Sequence, residues 1–361
     1  MLSTRLIKGI SSAANPVKKL INMDKFKQKK WFVGIDISKD TIDVSVVDND
    51  DSVKAKDIKI SNDLKGFDKL DKWFSKQKVQ LDDALFCMEH TGTYGLLLFL
   101  WLSQKEVDYC VEPALQIKRS LGMTRGKNDK VDARRIAKYA RTHKDSLKAY
   151  ELPASNILQI KQLLTYREQL VRLRSSLKNS VKSHEKYQQI TKAEFVTKDI
   201  ESNIEKLTES IQQAERQIKE LIEQDKELNE NFNLATSVKG IGLIIAAFMI
   251  VTTQNFTSFE SSRKYACYTG VAPFENISGN FIGKTRVSNL ANKTIKTLLS
   301  NGSNSAKNAD PELRAYYKRK KQEGKDHKVI INAISCKLIN RVFAVVARKT
   351  PYMVNYDHKF V

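Results

Sequence analysis

Four carboxylates and one serine are the residues of this sequence best suited to chemistry. Asp36 stands near the end of the apolar run WFVGIDI, and Glu89 closes a second such run, DALFCME. A carboxylate at the end of an apolar strand costs several kcal/mol if it is buried without a partner, so it calls for a cation or a donor. Asp129 and Asp132, in RGKNDKVDARR, are spaced to share one helix face. Two like charges that close need a shared cation, or the flanking Lys127, Lys130, Arg134 and Arg135. Hard oxygen donors with no His or Cys beside them favour Mg²⁺ or Mn²⁺ over zinc. Two such ions about 3.5–4 Å apart clamp the attacking and leaving oxygens of a phosphodiester. Taken singly, each acid reads as a cap or surface residue; the case rests on the four together. Ser278 lies in NISGNFIGKTR, where Gly279 leaves room for a phosphate and Lys284 and Arg286 offer charge to hold one. A serine hydroxyl is a weak nucleophile without a base or metal, and no His/Asp set accompanies this one. On its own residues it reads first as a turn serine in a Gly/Asn-rich segment.

The elements that must position these groups follow from the pattern. Residues 31–150 alternate strand and helix: two leading strands, a third over 53–61, helices over 66–76 and 91–102, strands over 83–89 and 107–112, and a helix over 129–142. This order predicts an α/β layer with a mostly parallel core and a leading hairpin, which suits an RNase H-like domain. Ligands collect at the carboxyl ends of such parallel strands, where Asp36 and Glu89 fall. Residues 151–231 lack glycine, and Ile200, Ile204, Leu207, Ile211, Ala214, Ile218 and Leu221 step by four and three, a heptad seam. With an opposing arm of Leu163, Tyr166, Leu170, Leu173 and Leu177, this reads as a coiled-coil hairpin or a dimerisation stalk.

Residues 232–361 form a third, mainly helical region. The turn carrying Lys239, Gly240 and Gly242 resembles a helix-hairpin-helix, whose backbone N–H groups hold a phosphate, although such a turn also serves packing alone. A Gly-rich loop or hairpin is expected over 269–286, and a polar helix over 287–307. Lys318, Arg319, Lys320 and Lys321, beside Tyr316 and Tyr317, read as a basic arm for backbone contacts with stacking, or as a solvated face. Residues 1–30 are basic and are expected to have no fold, with Met23 an alternative start.

The net charge of +21 over 361 residues makes nucleic acid the default partner. Four dispersed cysteines, without a C-x-x-C pair, argue against a zinc ribbon or a disulfide scaffold and fit a reducing compartment. The apolar runs 95–102 and 241–251 fall short of the roughly 20 residues that span a bilayer and read as core, so no membrane partner is expected.

GIDISKDTIDV, MEHTGTYG, RGKNDKVDARRIAKYA and YTGVAPFENISGNFIGKTR, in this order, resemble the insertion-sequence 110 transposases, the group that includes the Piv-type DNA invertases. The likeness runs from about 31 to 350. It implies a RuvC-like N-terminal domain whose D-E-D-D set maps onto Asp36, Glu89, Asp129 and Asp132. It also implies a C-terminal domain whose serine–glycine pair maps onto Ser278 and Gly279. By that resemblance the serine attacks DNA and forms a phosphoserine link, assisted by acid-bound Mg²⁺. A structured guide RNA encoded beside the gene pairs with element ends and target, and the protein works as a dimer or tetramer in the bacterial cytoplasm, at the nucleoid. The sequence departs from the family at Ile277, where a small residue is usual, and Ser288 is a nearby alternative. Three rivals remain: a hydrolytic junction-resolving nuclease, a sugar-kinase or actin-like ATPase suggested by GIDIS, and an inactive nucleic-acid-binding relative.

Overall fold

The computed structural model describes residues 26–50, 57–120, 129–191, 194–278, 281–288 and 291–353. The chain divides into two compact units, Met1–Leu152 and Pro153–Val361.

The N-terminal unit is built on a five-stranded mixed sheet of order β3-β2-β1-β4-β5. β1 (Trp31–Ile37), β2 (Thr41–Asp48) and β3 (Ile58–Ser61) are antiparallel neighbours. β1 also pairs in parallel with β4 (Ala84–Glu89), and β4 with β5 (Asp108–Glu112). Parallel neighbours need a crossover, and α1 (Leu64–Lys76) and α2 (Leu96–Gln104) supply the two required. Asp63 caps α1 by accepting from the Gly66 N–H at 2.7 Å. The expected helix over 91–102 forms only from Leu96, because a turn occupies the residues before it. The arrangement is consistent with an α/β RNase H-like domain.

β1 is apolar on both sides because the sheet is covered on both. Val33, Ile35, Ile37, Phe86 and Met88 pack with Phe67, Leu70 and Phe74 of α1 and Leu98, Phe99 and Leu102 of α2. Phe32, Val47, Leu85, Cys87 and Cys110 pack beneath Ile136, Ala137, Tyr139 and Ala140 of a further helix, and Ile117 of α3 (Ala114–Ser120) joins them. That further helix is α4 (Asp129–His143). Residues 26–30, expected to have no fold, belong to this layer. Phe26 is fully buried in it, and the Lys29 ammonium pairs with Asp108 at 2.7 Å.

In the C-terminal unit α5 (Ser155–Thr191) and α6 (Glu194–Glu223) lie antiparallel, as the pairs Arg167–Glu215 at 2.6 Å and Arg174–Thr208 at 3.2 Å require. The seam turns gradually away from a strict heptad. Ile211, Ala214 and Ile218 are buried, but the next buried residue is Ile222 rather than Leu221. In the opposing arm Ile160, Leu164 and Leu170 are buried, whereas Tyr166 and Leu173 are exposed. The base of the hairpin packs into the core of the following helices, so its buried stripe is set by those neighbours as well as by its partner arm.

These helices are α7 (Lys226–Ser237), α8 (Leu243–Thr253), α9 (Ser262–Tyr268), α10 (Lys293–Ala309), α11 (Pro311–Gln322) and α12 (His327–Arg348), with a hairpin of β6 (Pro273–Ser278) and β7 (Phe281–Val287). The polar helix expected from 287 starts only at Lys293, where Asn292 caps it, because β7 extends through Val287. The expected basic arm is helical over α11. Asp310 caps it and, fully buried, accepts from Arg341 at 3.0 Å and from the Tyr352 hydroxyl at 3.1 Å. α12 has the length and apolarity of a membrane span, but Ile330, Ile334, Leu338, Val342 and Val345 lie in the core of this unit.

One contact controls where α4 sits. A methyl group added at Gly34 would lie 2.0 Å from the Ala133 carbonyl oxygen and 2.2 Å from the Ala137 nitrogen. Gly34→Ala therefore has to lift the helix from β1, and overpacking of this kind costs about 1–3 kcal/mol or more. The expected outcome is a lower urea midpoint at unchanged slope; a variant as stable as the wild type would show that α4 moves freely over the strand.

Candidate active site

The parallel register of β1 and β4 runs through Ile35–Met88, so Asp36 and Glu89 are neighbours at the next step, at the carboxyl ends of both strands. Asp36 is opposite Asp43 on β2, Asp43 is opposite Lys59 on β3, and Glu89 is opposite Glu112 on β5. Partners in register point to one face of a sheet. Lys59, Asp43, Asp36, Glu89 and Glu112 therefore form a row across all five strands, on the face that carries Phe32, Gly34 and Cys87 and that α4 covers.

The first turns of α4 bring a further acid to this row. Burial raises the Glu89 carboxyl above the usual carboxylate range, and the charges of Asp36 and Asp132 raise it further. Three carboxylates, from β1, β4 and α4, thus act on one another. Asp132 also pairs with Arg135 at 2.8 Å, as the sequence suggests. Asp129 is the first residue of α4, and its side chain lies outside the described part of the molecule. Arg134, expected beside the acids, instead pairs with Asp57 at 2.8 Å. Lys127 lies outside the described residues, as does the side chain of Lys130.

Two acids of the row were not anticipated from the sequence. Asp43 is buried, at 5% exposure, and its charge is met by Lys59 at 2.9 Å. Burial raises the Glu112 carboxyl, partly offset by a hydrogen bond that the Tyr139 hydroxyl donates at 3.4 Å and by the nearby His143. Glu112 carried the same signal as Glu89, an acid closing an apolar strand. Asp43 sat in an alternating run where a polar residue is ordinary.

The donors fit a divalent cation. They are hard carboxylate oxygens on three separate elements, with no soft ligand in the row. Among the described residues no three His, Cys, Asp or Glu side chains already close on one ion position. Burial raises Glu89 first and the charges of Asp36 and Asp132 add to it, and a bound cation would offset both.

The remaining sequence candidates lie in the C-terminal unit. Ser278 ends β6 and pairs with Phe281 of β7. Gly279 lies outside the described residues, as do the side chains of Ser278, Lys284 and Arg286. Lys239 is exposed at the turn before α8. Gly240, at φ +94°, is pressed against Gly302 of α10, where an added methyl would meet its carbonyl oxygen at 2.5 Å. Gly242 begins α8 with no side-chain cap and open space around it. Lys318 and Lys321 are exposed on α11, and Lys320 pairs with Glu323 at 2.6 Å. Arg319 and Lys337 lie over the Tyr316 ring, and Lys307 lies over that of Tyr317. The tyrosines expected to stack on bases thus hold cations of their own chain.

Residues 33–185, which span all four sequence-predicted acids, match a transposase family of the DEDD, IS110 type. Residues 233–318, which span Ser278, match the family described as "Transposase IS116/IS110/IS902 family". The chain belongs to the IS110 family of transposases. The transposase is 28% identical over 328 residues to the pilin gene-inverting protein of Moraxella bovis, covering 90% of this chain and 98% of the relative. It is 27% identical to the Moraxella lacunata protein of the same name, with the same coverage. Over 117 residues, 32% of this chain and 29% of the relative, it is 32% identical to an insertion element IS110 protein of Streptomyces coelicolor. The transposase is an enzyme of DNA recombination.

The raised Glu89 carboxyl gives a signed prediction. A carboxyl raised in the folded state contributes stability that is full below its unfolded pKa and is lost as pH rises through the folded value. At neutral pH without divalent metal the Glu89 charge therefore works against the fold, and Glu89→Gln raises the melting temperature. The gain shrinks as pH falls through the carboxylate range, and added Mg²⁺ stabilises the wild type more than the variant. A lower melting temperature for Glu89→Gln in metal-free buffer at pH 7–8 would show that donors, not repulsion, govern this group.

Proposed function

We propose that this transposase cuts and rejoins DNA strands through a covalent link to Ser278. The observation that carries the reading is the placement of Asp36 and Glu89 side by side at the carboxyl ends of β1 and β4, on the face covered by α4, which carries Asp132. It is a reason to assign these three, with Asp129, as the acid set of a RuvC-like domain. In the step, the Ser278 hydroxyl oxygen bonds to the scissile phosphorus, and the bond from phosphorus to one strand oxygen breaks. The departing oxygen takes up a proton as the serine gives one up. A strand hydroxyl from the partner duplex then displaces the serine, so the phosphodiester is rejoined without an energy source.

Mg²⁺ or Mn²⁺ held by Asp36, Glu89, Asp129 and Asp132 would supply positive charge against the phosphate oxygens. Lys284 and Arg286, on the strand that returns from Ser278, are assigned to the same phosphate by charge. A hydrolytic nuclease with the same acid set is the second reading. The family match over Ser278 favours the serine.

The other parts are assigned on narrower grounds. Residues 31–150 are taken as the RuvC-like domain, 151–231 as the coiled-coil arm and 232–361 as the serine-bearing domain. Lys239, Gly240 and Gly242 are assigned to backbone phosphates in the manner of a helix-hairpin-helix, with Gly240 serving packing as well. Lys127, Lys130, Lys318, Arg319, Lys320 and Lys321 are assigned to nucleic-acid backbone by charge. Strand exchange between two duplexes calls for more than one protomer. The far end of the α5–α6 hairpin offers Ile190 and Phe195, 81% and 79% exposed, for a homodimer or tetramer. DNA inversion, the activity named for the Moraxella relatives, is one form the reaction can take. Guidance by an element-encoded RNA, and action at the nucleoid of a bacterial cytoplasm, rest on the family resemblance alone.

A denaturing gel with labelled element-end DNA, the flanking-region RNA and Mg²⁺ tests the reading. The wild type should give a protein-linked DNA band, absent in Ser278→Ala, retained in Ser288→Ala, and absent or strongly reduced in Glu89→Ala. Cleavage that persists in Ser278→Ala without any adduct would make the enzyme a hydrolytic nuclease.

A further inference from the structure

A second place for a phosphate lies in the C-terminal unit, away from the G-I-G turn. Between α10 and α12 there is a cavity of about 260 Å³, lined by Lys296, Ser300 and Asn304 of α10 and by His327, Lys328 and Asn332 of α12, with Val271, Ile331 and Ser335 as further lining. Two lysines and a histidine face one small space, and among the described residues no carboxylate lines it. We propose that this cavity seats a phosphodiester of a nucleic-acid strand, and that it positions that strand relative to the β6–β7 hairpin.

The surroundings are ordered for that use. The Tyr317 hydroxyl meets His327 Nδ1 at 2.9 Å; when the hydroxyl donates, the ring proton stands on Nε2 and the histidine is a donor. Lys307, 4.8 Å above the Tyr317 ring, also donates to Asn304 Oδ1 at 3.2 Å. Asn304 in turn donates to the Ser300 carbonyl at 3.0 Å, which keeps this lining on α10 in place. Asn332 donates to the Val271 carbonyl at 2.7 Å and the Cys336 thiol to the same oxygen at 3.2 Å. Val271 leads directly into β6, so α12 and the root of the serine-bearing hairpin are tied together at the cavity.

The lining also selects the class of ligand. The apolar groups are two aliphatic side chains, and among the described residues no Phe, Tyr or Trp lines the space as a stacking platform. Such a site reads backbone and not sequence. Through Tyr317 it adjoins α11, where Lys318 and Lys321 are exposed, so the positive surface continues beyond one phosphate. The inference rests on the transposase acting on nucleic acid and is independent of the serine chemistry.

Anisotropy titrations of the full chain over a range of KCl, with a DNA duplex, a scrambled duplex and a single-stranded RNA, test it. Each phosphate contact contributes about 0.9 to the log–log salt slope on duplex DNA and about 0.7 on single strands. Lys296→Ala combined with Lys328→Ala should lower the slope by about 0.7–0.9, the value of one phosphate, on at least one of these ligands, equally for both duplexes if the ligand is DNA. The paired Arg substitutions should restore the slope, which separates lost charge from lost fold. Lys198→Ala with Lys219→Ala, on α6, removes the same charge elsewhere and should lower it by less than about 0.5. A slope change no greater than this control on both DNA and RNA would overturn the proposal. So would displacement of wild-type binding by inorganic phosphate, but not by sulfate at matched ionic strength, since the cavity would then be a small-anion site. Absence of a serine adduct in the wild type would count against Ser278 and leave this measurement intact.

Discussion

A backbone-to-backbone contact, at a position where even a methyl group has no room, holds the N-terminal unit's chemistry together. α4 can lie on β1 only because residue 34 is glycine and because the helix presents Ala133 and Ala137 to it. Small residues on both elements replace side-chain contact with direct approach. The consequence is positional. A helix resting on a thicker side chain would be displaced outward by an ångström or more, and its first turns, with Asp129 and Asp132, would leave the row of acids on the sheet. The packing also has an electrostatic side. The N-terminal turn of a helix carries partial positive charge from its unpaired N–H groups, which favours carboxylates there. α4 thus brings Asp132 towards Asp36 and Glu89, and with it the end of its own dipole that offsets part of the repulsion.

The row itself shows how a sheet can hold like charges without collapsing. At one edge Asp43 is neutralised by Lys59, and towards the other Glu112 is held by the Tyr139 hydroxyl. Both flanking acids have a named partner. Among the row's members, Glu89 is raised first by burial and then, in addition, by other acids, Asp36 and Asp132. The like-charge contacts of the row therefore fall at its middle, where β1 and β4 end. A row of like charges whose flanking acids are paired costs less to bury than one whose acids all lack partners.

How much of this could be read from the sequence follows from what each signal depends on. Asp36 and Glu89 were legible because an acid closing an apolar strand violates local patterning, which needs no knowledge of pairing. Asp132 was legible through helical spacing. Asp43 became visible only through the antiparallel register, since polar residues in an alternating strand are ordinary until their neighbours across the sheet are known. Arg134 was misplaced for a related reason: spacing put it near the acids, but its partner Asp57 comes from a distant part of the chain. The hairpin arms departed from the heptad because their base is packed into a larger core and not only against each other. Phe26 escaped notice because a single aromatic in a basic segment has no periodicity to mark it.

The C-terminal unit applies the same rule of close approach in a different place. Gly240 and Gly302 let the turn before α8 rest on α10, while the next glycine, Gly242, leaves the start of α8 uncovered. Two glycines two residues apart thus do different work, one closing a contact and the other keeping backbone N–H groups open. Exposed lysines were the least legible feature, since charge on a sequence does not tell a ligand site from a solvated face. What separates them is enclosure. Lys318 and Lys321 stand on an open helix, whereas Lys296, half-buried, lines a space bounded by hydrogen-bonded side chains that the exposed Lys328 also lines. A half-buried side chain such as that of Lys296 has less freedom to lose when an anion enters. On an open helix each long side chain must be fixed at the moment of contact, which offsets much of the attraction.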